Sequence, residues 1–82
     1  MYSIEFTMSA ERQLYRLPHH VQRRVVTTIE RCKIRPYAHV KRLVDSPYFR
    51  LRAGDYRVLL DIKDNALKIL VIEVGHRKNI YR

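Results

Sequence analysis

Tryptophan is absent from the chain, cysteine occurs once, glycine twice and proline three times. The single cysteine, Cys32, excludes an intramolecular disulfide and a cysteine-based zinc site. No apolar run approaches the roughly 18 residues of a membrane-spanning helix, and no apolar N-terminal stretch has the form of a signal peptide. A cytoplasmic protein with no membrane partner is therefore expected. Repeats, low-complexity tracts and linkers are also missing, so residues 1–82 are read as one domain. A domain of that size hides only about 60% of the surface its unfolded chain exposes, so its core is small.

Acidic residues are the other shortage. Eight Asp and Glu stand against seventeen Lys and Arg, giving a net charge of +9 and a pI near 10.2. That excess costs self-repulsion in the folded state, and it attracts polyanions. Nucleic acid is the first partner to consider, an acidic protein the second and an anionic membrane the last. The basic residues run from Arg12 to Arg82 instead of gathering in a tail, which fits a folded basic surface.

The apolar pattern predicts the elements. "YSIEF" alternates Tyr2, Ile4 and Phe6 with Ser3 and Glu5, as a half-buried strand does. "TMSAERQLYRLP" predicts a short helix with Ser9 as N-cap, Ala10, Leu14 and Leu17 inward, and an end at Pro18. A second helix is expected from about His20 to Lys33, with Val21, Val25, Ile29 and Cys32 on one face. Arg23, Arg24, Glu30 and Arg31 fall on its other face. Residues 34–47, punctuated by Pro36 and Pro47, are undecided, with Val40, Leu43 and Val44 as possible anchors to the core. Three strands follow, near Tyr48–Ala53, Tyr56–Lys63 and Leu67–Gly75. The order β-α-α-β-β-β predicts an α+β fold: an N-terminal strand, a helical hairpin and an antiparallel three-strand meander, with the helices on one sheet face.

Counting along "RLRAGDYRV" sharpens this. Gly54-Asp55 suits a two-residue type II′ turn, because glycine takes its first position without strain. Ala53 then pairs with Tyr56, Arg52 with Arg57, Leu51 with Val58 and Arg50 with Leu59. Paired residues share a sheet face, as do alternate residues along a strand. Arg50, Arg52 and Arg57 therefore emerge together, while Phe49, Leu51, Tyr56, Val58 and Leu60 line the helix side. Arg52 opposite Arg57 is a poor choice for stability, since like charges in that position repel. The face is either a solvated basic surface or a preformed phosphate socket, which guanidinium matches by its bidentate geometry. The last strand has two open registers. A three-residue Asp64-Asn65-Ala66 loop pairs Arg57 with Glu73 and puts Arg77 on the arginine side. A two-residue Asp64-Asn65 loop pairs Asp61 with Lys68 and sends His76 there.

"RLRAGDYRVLLDI", followed after a hairpin by "VGHRKNIY", resembles the RelE/ParE toxin superfamily, and RelE more than ParE. The opening "YSIEFTMSAERQLYRLPHHVQRRV" is similar to that family's first strand and helical hairpin. The resemblance implies a RelE-like fold and the toxin of a type II toxin–antitoxin pair. Such a toxin enters the ribosomal A site and cuts mRNA through attack of a ribose 2′-hydroxyl on the adjacent phosphate, without a cofactor or metal. It implies a RelB-like antitoxin, acidic or amphipathic, and contact with DNA only as the toxin–antitoxin complex. By position, the family's basic pair falls on Arg50 and Arg52, the arginine after the turn on Arg57, that of "GHR" on Arg77, and the tail tyrosine on Tyr81.

The chemistry needs a base, a donor for the leaving oxygen and cations around phosphorus. The arginines supply the last but cannot readily give up a proton. The base is then Tyr81, if nearby guanidinium groups lower its pKa from about 10, or His76, which titrates near neutrality by default. Lys78, Arg23 and Arg24 are expected to add nucleic-acid contacts. His19, His20 and His39 match no zinc spacing. Cys32 belongs to the core, and Tyr15, Tyr37 and Tyr48 pack partly against the fold. Two alternatives stay open: a ParE-like inhibitor of DNA gyrase without catalysis, and an inactive homologue that binds RNA or antitoxin.

Overall fold

Alternation of Ile4 and Phe6 with Ser3 and Glu5 forms the first strand, β1 (Ser3–Phe6), with the apolar pair half-buried. The computed structural model describes residues 1–80. Helix α1 (Met8–Tyr15) begins two residues earlier than expected, because Thr7 and not Ser9 is its cap. The Thr7 side chain accepts the Ala10 N–H at 3.0 Å, so the chain turns from strand into helix with no intervening loop. Ala10 and Leu14 are buried, and Leu17 packs against the core. Pro18 precedes α2 (His19–Glu30), which buries Val25 and Ile29 and then tightens into a 3-10 turn, Arg31–Lys33, that carries Cys32 inward. Burial pushes the Cys32 thiol pKa up, as suits a core residue. Arg23, Arg24, Glu30 and Arg31 are exposed, as the helical period requires.

The undecided stretch holds a strand that the sequence does not announce. Pro36 is buried in a 3-10 turn, Pro36–Ala38, while Val44 is 88% exposed and anchors nothing. Between them β2 (Val40–Arg42) pairs antiparallel with β3 (Phe49–Ala53). Val-Lys-Arg is too short to show alternation, and its place is set by β3. The chain continues through β4 (Tyr56–Lys63), β5 (Lys68–His76) and one helical turn, α3 (Arg77–Ile80). The five-stranded sheet has the order β1-β5-β4-β3-β2, with β1 parallel to β5 and every other pair antiparallel. The α+β architecture is as expected, with β2 added to the meander and the two long helices packed on one face.

Neither anticipated register of β5 occurs. Lys63 pairs with Lys68, so four residues connect the strands, and Leu67 closes the loop in the left-handed region at φ +49°. Asp64 holds this loop from both sides: the Tyr2 hydroxyl donates to its Oδ1 at 2.7 Å and the Tyr37 hydroxyl to its Oδ2 at 2.8 Å. The bond to Asp64, with burial and the carboxylate charge adding to it, pushes the Tyr37 phenol up to about 12. Tyr2 is raised for the same reasons.

Farther along, β5 bulges. Leu60 pairs with Val71 but Leu59 with Glu73, so Ile72 is the extra residue. The bulge lies where β1 has ended and β5 would leave polar groups unpaired. Helix α1 and its cap fill that gap. The Thr7 N–H donates to the Val71 carbonyl at 3.0 Å and its hydroxyl to the Ile72 carbonyl at 3.3 Å, while Gln13 Oε1 accepts the Val74 N–H at 2.8 Å. The shift puts Gly75 beside Arg57 and His76 beside Tyr56.

Candidate functional site

The β3–β4 hairpin is the frame of the site. Gly54 turns at φ +62°, while Asp55 keeps a negative φ, the pattern of a type II′ turn. The pairs are those counted from the sequence: Ala53 with Tyr56, Arg52 with Arg57, Leu51 with Val58, Arg50 with Leu59. Leu51, Val58 and Leu60 are buried against the helices. Arg50 and Arg57, half-exposed, and Arg52, exposed, leave from the other face.

Neighbouring strands complete two rows on that face. Across the sheet, Lys41 pairs with Arg50, Arg50 with Leu59 and Leu59 with Glu73. Nearer the tip, Arg52 pairs with Arg57 and Arg57 with Gly75. The face thus gains a lysine that the sequence reading missed, because β2 was not recognised. It also carries an acid, Glu73, one row from Arg57. Gly75 brings no side chain next to Arg57 on this row. At the tip, Arg52 Nε donates to the Gly54 carbonyl at 3.3 Å, which turns its side chain toward the turn.

Residues after β5 return to the hairpin. The Arg77 N–H donates to the Asp55 carbonyl at 2.9 Å, so exposed Arg77 opens α3 against the tip. Exposed Lys78 follows it, its N–H donating to His76 Nδ1 at 3.2 Å. His76 is not brought to the arginines. It shares a row with Ala53 and Tyr56 on the helix side, its ring edge-on to Tyr56 at 5.3 Å. Tyr81 lies outside the described residues. Arg23 and Arg24 stand on α2 near the hairpin tip, close enough that a Cβ on Gly54 would meet Arg24 Cζ at 3.1 Å.

Other residues fall into structural places. Tyr37 lies edge-on to Phe49 at 5.4 Å, Tyr48 is half-buried, and Tyr15 is 66% exposed and so packs less than expected. Among the described residues, no three His, Cys, Asp or Glu side chains gather where they could hold a metal ion. Nor is any described helix long and apolar enough to cross a membrane. What the arrangement can do is hold a phosphate: cations on a rigid hairpin, with the start of α3 fastened beside them.

Comparison with known proteins agrees with this frame. The family model described as ParE toxin of type II toxin–antitoxin system, parDE, matches residues 4–81. Toxin RelG of Mycobacterium tuberculosis is 32% identical over 85 residues, covering 99% of this chain and 97% of that protein. The toxin–antitoxin complex RelBE2 of the same organism contains a chain of similar structure, with a TM-score of 0.83 at 30% identity over 95% of this chain and 93% of that one. The intact Escherichia coli RelBE complex gives a TM-score of 0.80 at 22% identity, covering 93% and 96%, a likeness of fold.

Proposed function

The chain belongs to the ParE toxin family of type II toxin–antitoxin systems, and from that premise we propose that it is a ribosome-dependent endoribonuclease. The reading rests on one observation: Arg52 and Arg57 stand opposite each other on the helix-free face, with the Arg77 N–H bonded to the turn that joins their strands. A trigonal-bipyramidal phosphorane, formed when the 2′-hydroxyl attacks, carries more negative charge on its oxygens than the ground-state diester. Guanidinium groups fixed on a hairpin stabilise that charge without reorganising. Arg50, Arg52, Arg57 and Arg77 are the proposed phosphate ligands, with Lys78 extending the contact. His76 lies on the other side of the sheet, so the proposed base is Tyr81.

Removal of one such donor costs about 2.7–4 kcal/mol, or roughly 10²–10³ in rate. Primer extension on a message in a reconstituted translation reaction is the test, with Arg77→Ala beside the wild type. Breaks within the A-site codon that fall by that factor in the variant, and that are missing on free RNA, are expected. Intact message at high protein concentration refutes the reading.

The ParE name of the matching family keeps a second reading in view, a toxin that binds DNA gyrase without catalysis. Its readout is loss of gyrase supercoiling with the message left whole. In either reading the cellular partner is a RelB-like antitoxin, acidic or amphipathic, covering part of the arginine face or an open sheet edge. A 1:1 mixture is expected to weaken RNA binding by the toxin, and unchanged affinity would remove that proposal.

A further inference from the structure

A groove of about 580 Å³ runs between α2 and the β3–β4 tip, away from the arginine face. Its helix wall is Arg23, Arg24, Thr27, Thr28 and Arg31, and its strand wall is the end of β3, with Arg52 and Gly54. The helical period explains the first wall. Positions 23, 27 and 31 form one i, i+4 row, with 24 and 28 beside it. Two threonines between arginines keep the floor low while the long side chains stand at the rim. The Thr28 hydroxyl donates to the Arg24 carbonyl at 2.8 Å, which turns it into its own helix. Gly54 keeps the other wall low, since a Cβ there would press on Arg24 at 3.1 Å.

No acid lines this groove, and among the described residues Arg23, Arg24, Arg31 and Arg52 take part in no ion pair. Four like charges around one concavity repel one another until an anion enters. We propose that the groove is a second phosphate subsite that takes the backbone of an RNA. Arg52 is the link. By register it leaves from the arginine face, yet its bond to the Gly54 carbonyl turns it to the tip, where it lines the groove. An RNA strand whose reacting phosphate lies at Arg57 is then followed around the hairpin tip by α2. The proposal deepens the reading that this chain acts on RNA. An acidic protein fits the groove less well, because a single file of phosphates suits a channel of guanidinium groups and small hydroxyl residues.

The probe is a labelled single-stranded RNA titrated with the full chain at several salt concentrations, without ribosomes. Each lost phosphate contact lowers the salt slope by about 0.7, so Arg23→Ala/Arg31→Ala is expected to lower it by about 1.4 and to weaken binding roughly 25-fold at 0.1 M salt. Both residues are exposed, alanine favours the helix, and Arg23→Gln/Arg31→Gln repeats the test with a polar surface. Arg12→Ala/Arg16→Ala, which removes the same charge from α1 and its C-terminal cap, is expected to change the slope far less. Equal effects of the two pairs, or no change in the groove variant, would overturn the subsite. Loss of binding to a polyglutamate peptide but not to RNA in the groove variant would assign the groove to a protein and overturn the RNA assignment. Binding is read apart from cleavage. A chain that binds RNA through the groove but cuts no message would refute the nuclease reading alone.

Discussion

The two ends of β4 carry two turns of different construction. At one end Gly54 and Asp55 make a two-residue turn whose geometry is local: glycine at φ +62°, pairs closing at once on either side, and arginines on the outer face. At the other end the Asp64–Leu67 connection is held by residues far away in the chain, Tyr2 and Tyr37, through one carboxylate. The first turn sets arginines side by side on the outer face, and the second fastens the first strand and a loop to the sheet. A turn specified by its own residues can be counted from the sequence. A turn specified by distant partners cannot.

That difference can be put under strain by mutation. Gly54→Ala attacks the local turn, forcing a Cβ onto a left-handed backbone and toward Arg24. A cost of about 1–3 kcal/mol is expected, seen as a lower denaturation midpoint with weakened RNA binding. An unchanged midpoint would mean that the tip relaxes freely. Gln13→Ala attacks the distant kind of support by leaving the Val74 N–H without its partner. Thermal unfolding is expected to show a loss of about 1 kcal/mol, the low end for an unpaired part-buried donor. If stability holds, water serves the bulge as well as glutamine does.

The smallest effect belongs to the loop. The Tyr37 phenol is raised in the folded state to about 12 from the ordinary value of 10, so folding favours its neutral form. Its contribution to stability is complete below pH 10 and is lost as pH rises through about 12. A phenolate titration by absorbance is expected to show two tyrosines, Tyr2 and Tyr37, lagging behind the ordinary range, and Tyr37→Phe should abolish the larger lag. A variant that keeps it would assign the lag to another residue.

The same contrast explains what was legible. Apolar period placed both helices and the buried faces of β1, β3 and β4. The Gly54-Asp55 turn fixed Arg52 against Arg57 without reference to the rest of the molecule. Three features resisted for one reason. The Thr7 cap, the β2 pairing and the bulge at Ile72 depend on strands that meet only in the fold. The bulge matters most for the site, because it puts Gly75 beside Arg57 where an unbroken register would put Val74, and turns His76 to the helix side. A count of loop residues cannot supply a bulge, since the hydrogen bonds that sustain it come from Thr7 and Gln13. The groove on α2 was half visible. Its arginines read as one exposed face, but only the packed hairpin gives that face a second wall.

The parallel pairing of β1 with β5 has a temporal side. Ser3 to Phe6 are synthesised well before Lys68 to Val71, their strand partner among the described residues. Until then the early strand has no neighbour, and the helices have only part of the surface they cover. Pairings between such distant segments make folding slow to begin. Arg77, fastened to Asp55, joins the hairpin later still. A chain that has not yet reached β5 therefore cannot assemble the sheet or its charged rim. Closure of the sheet waits until β5 has been made.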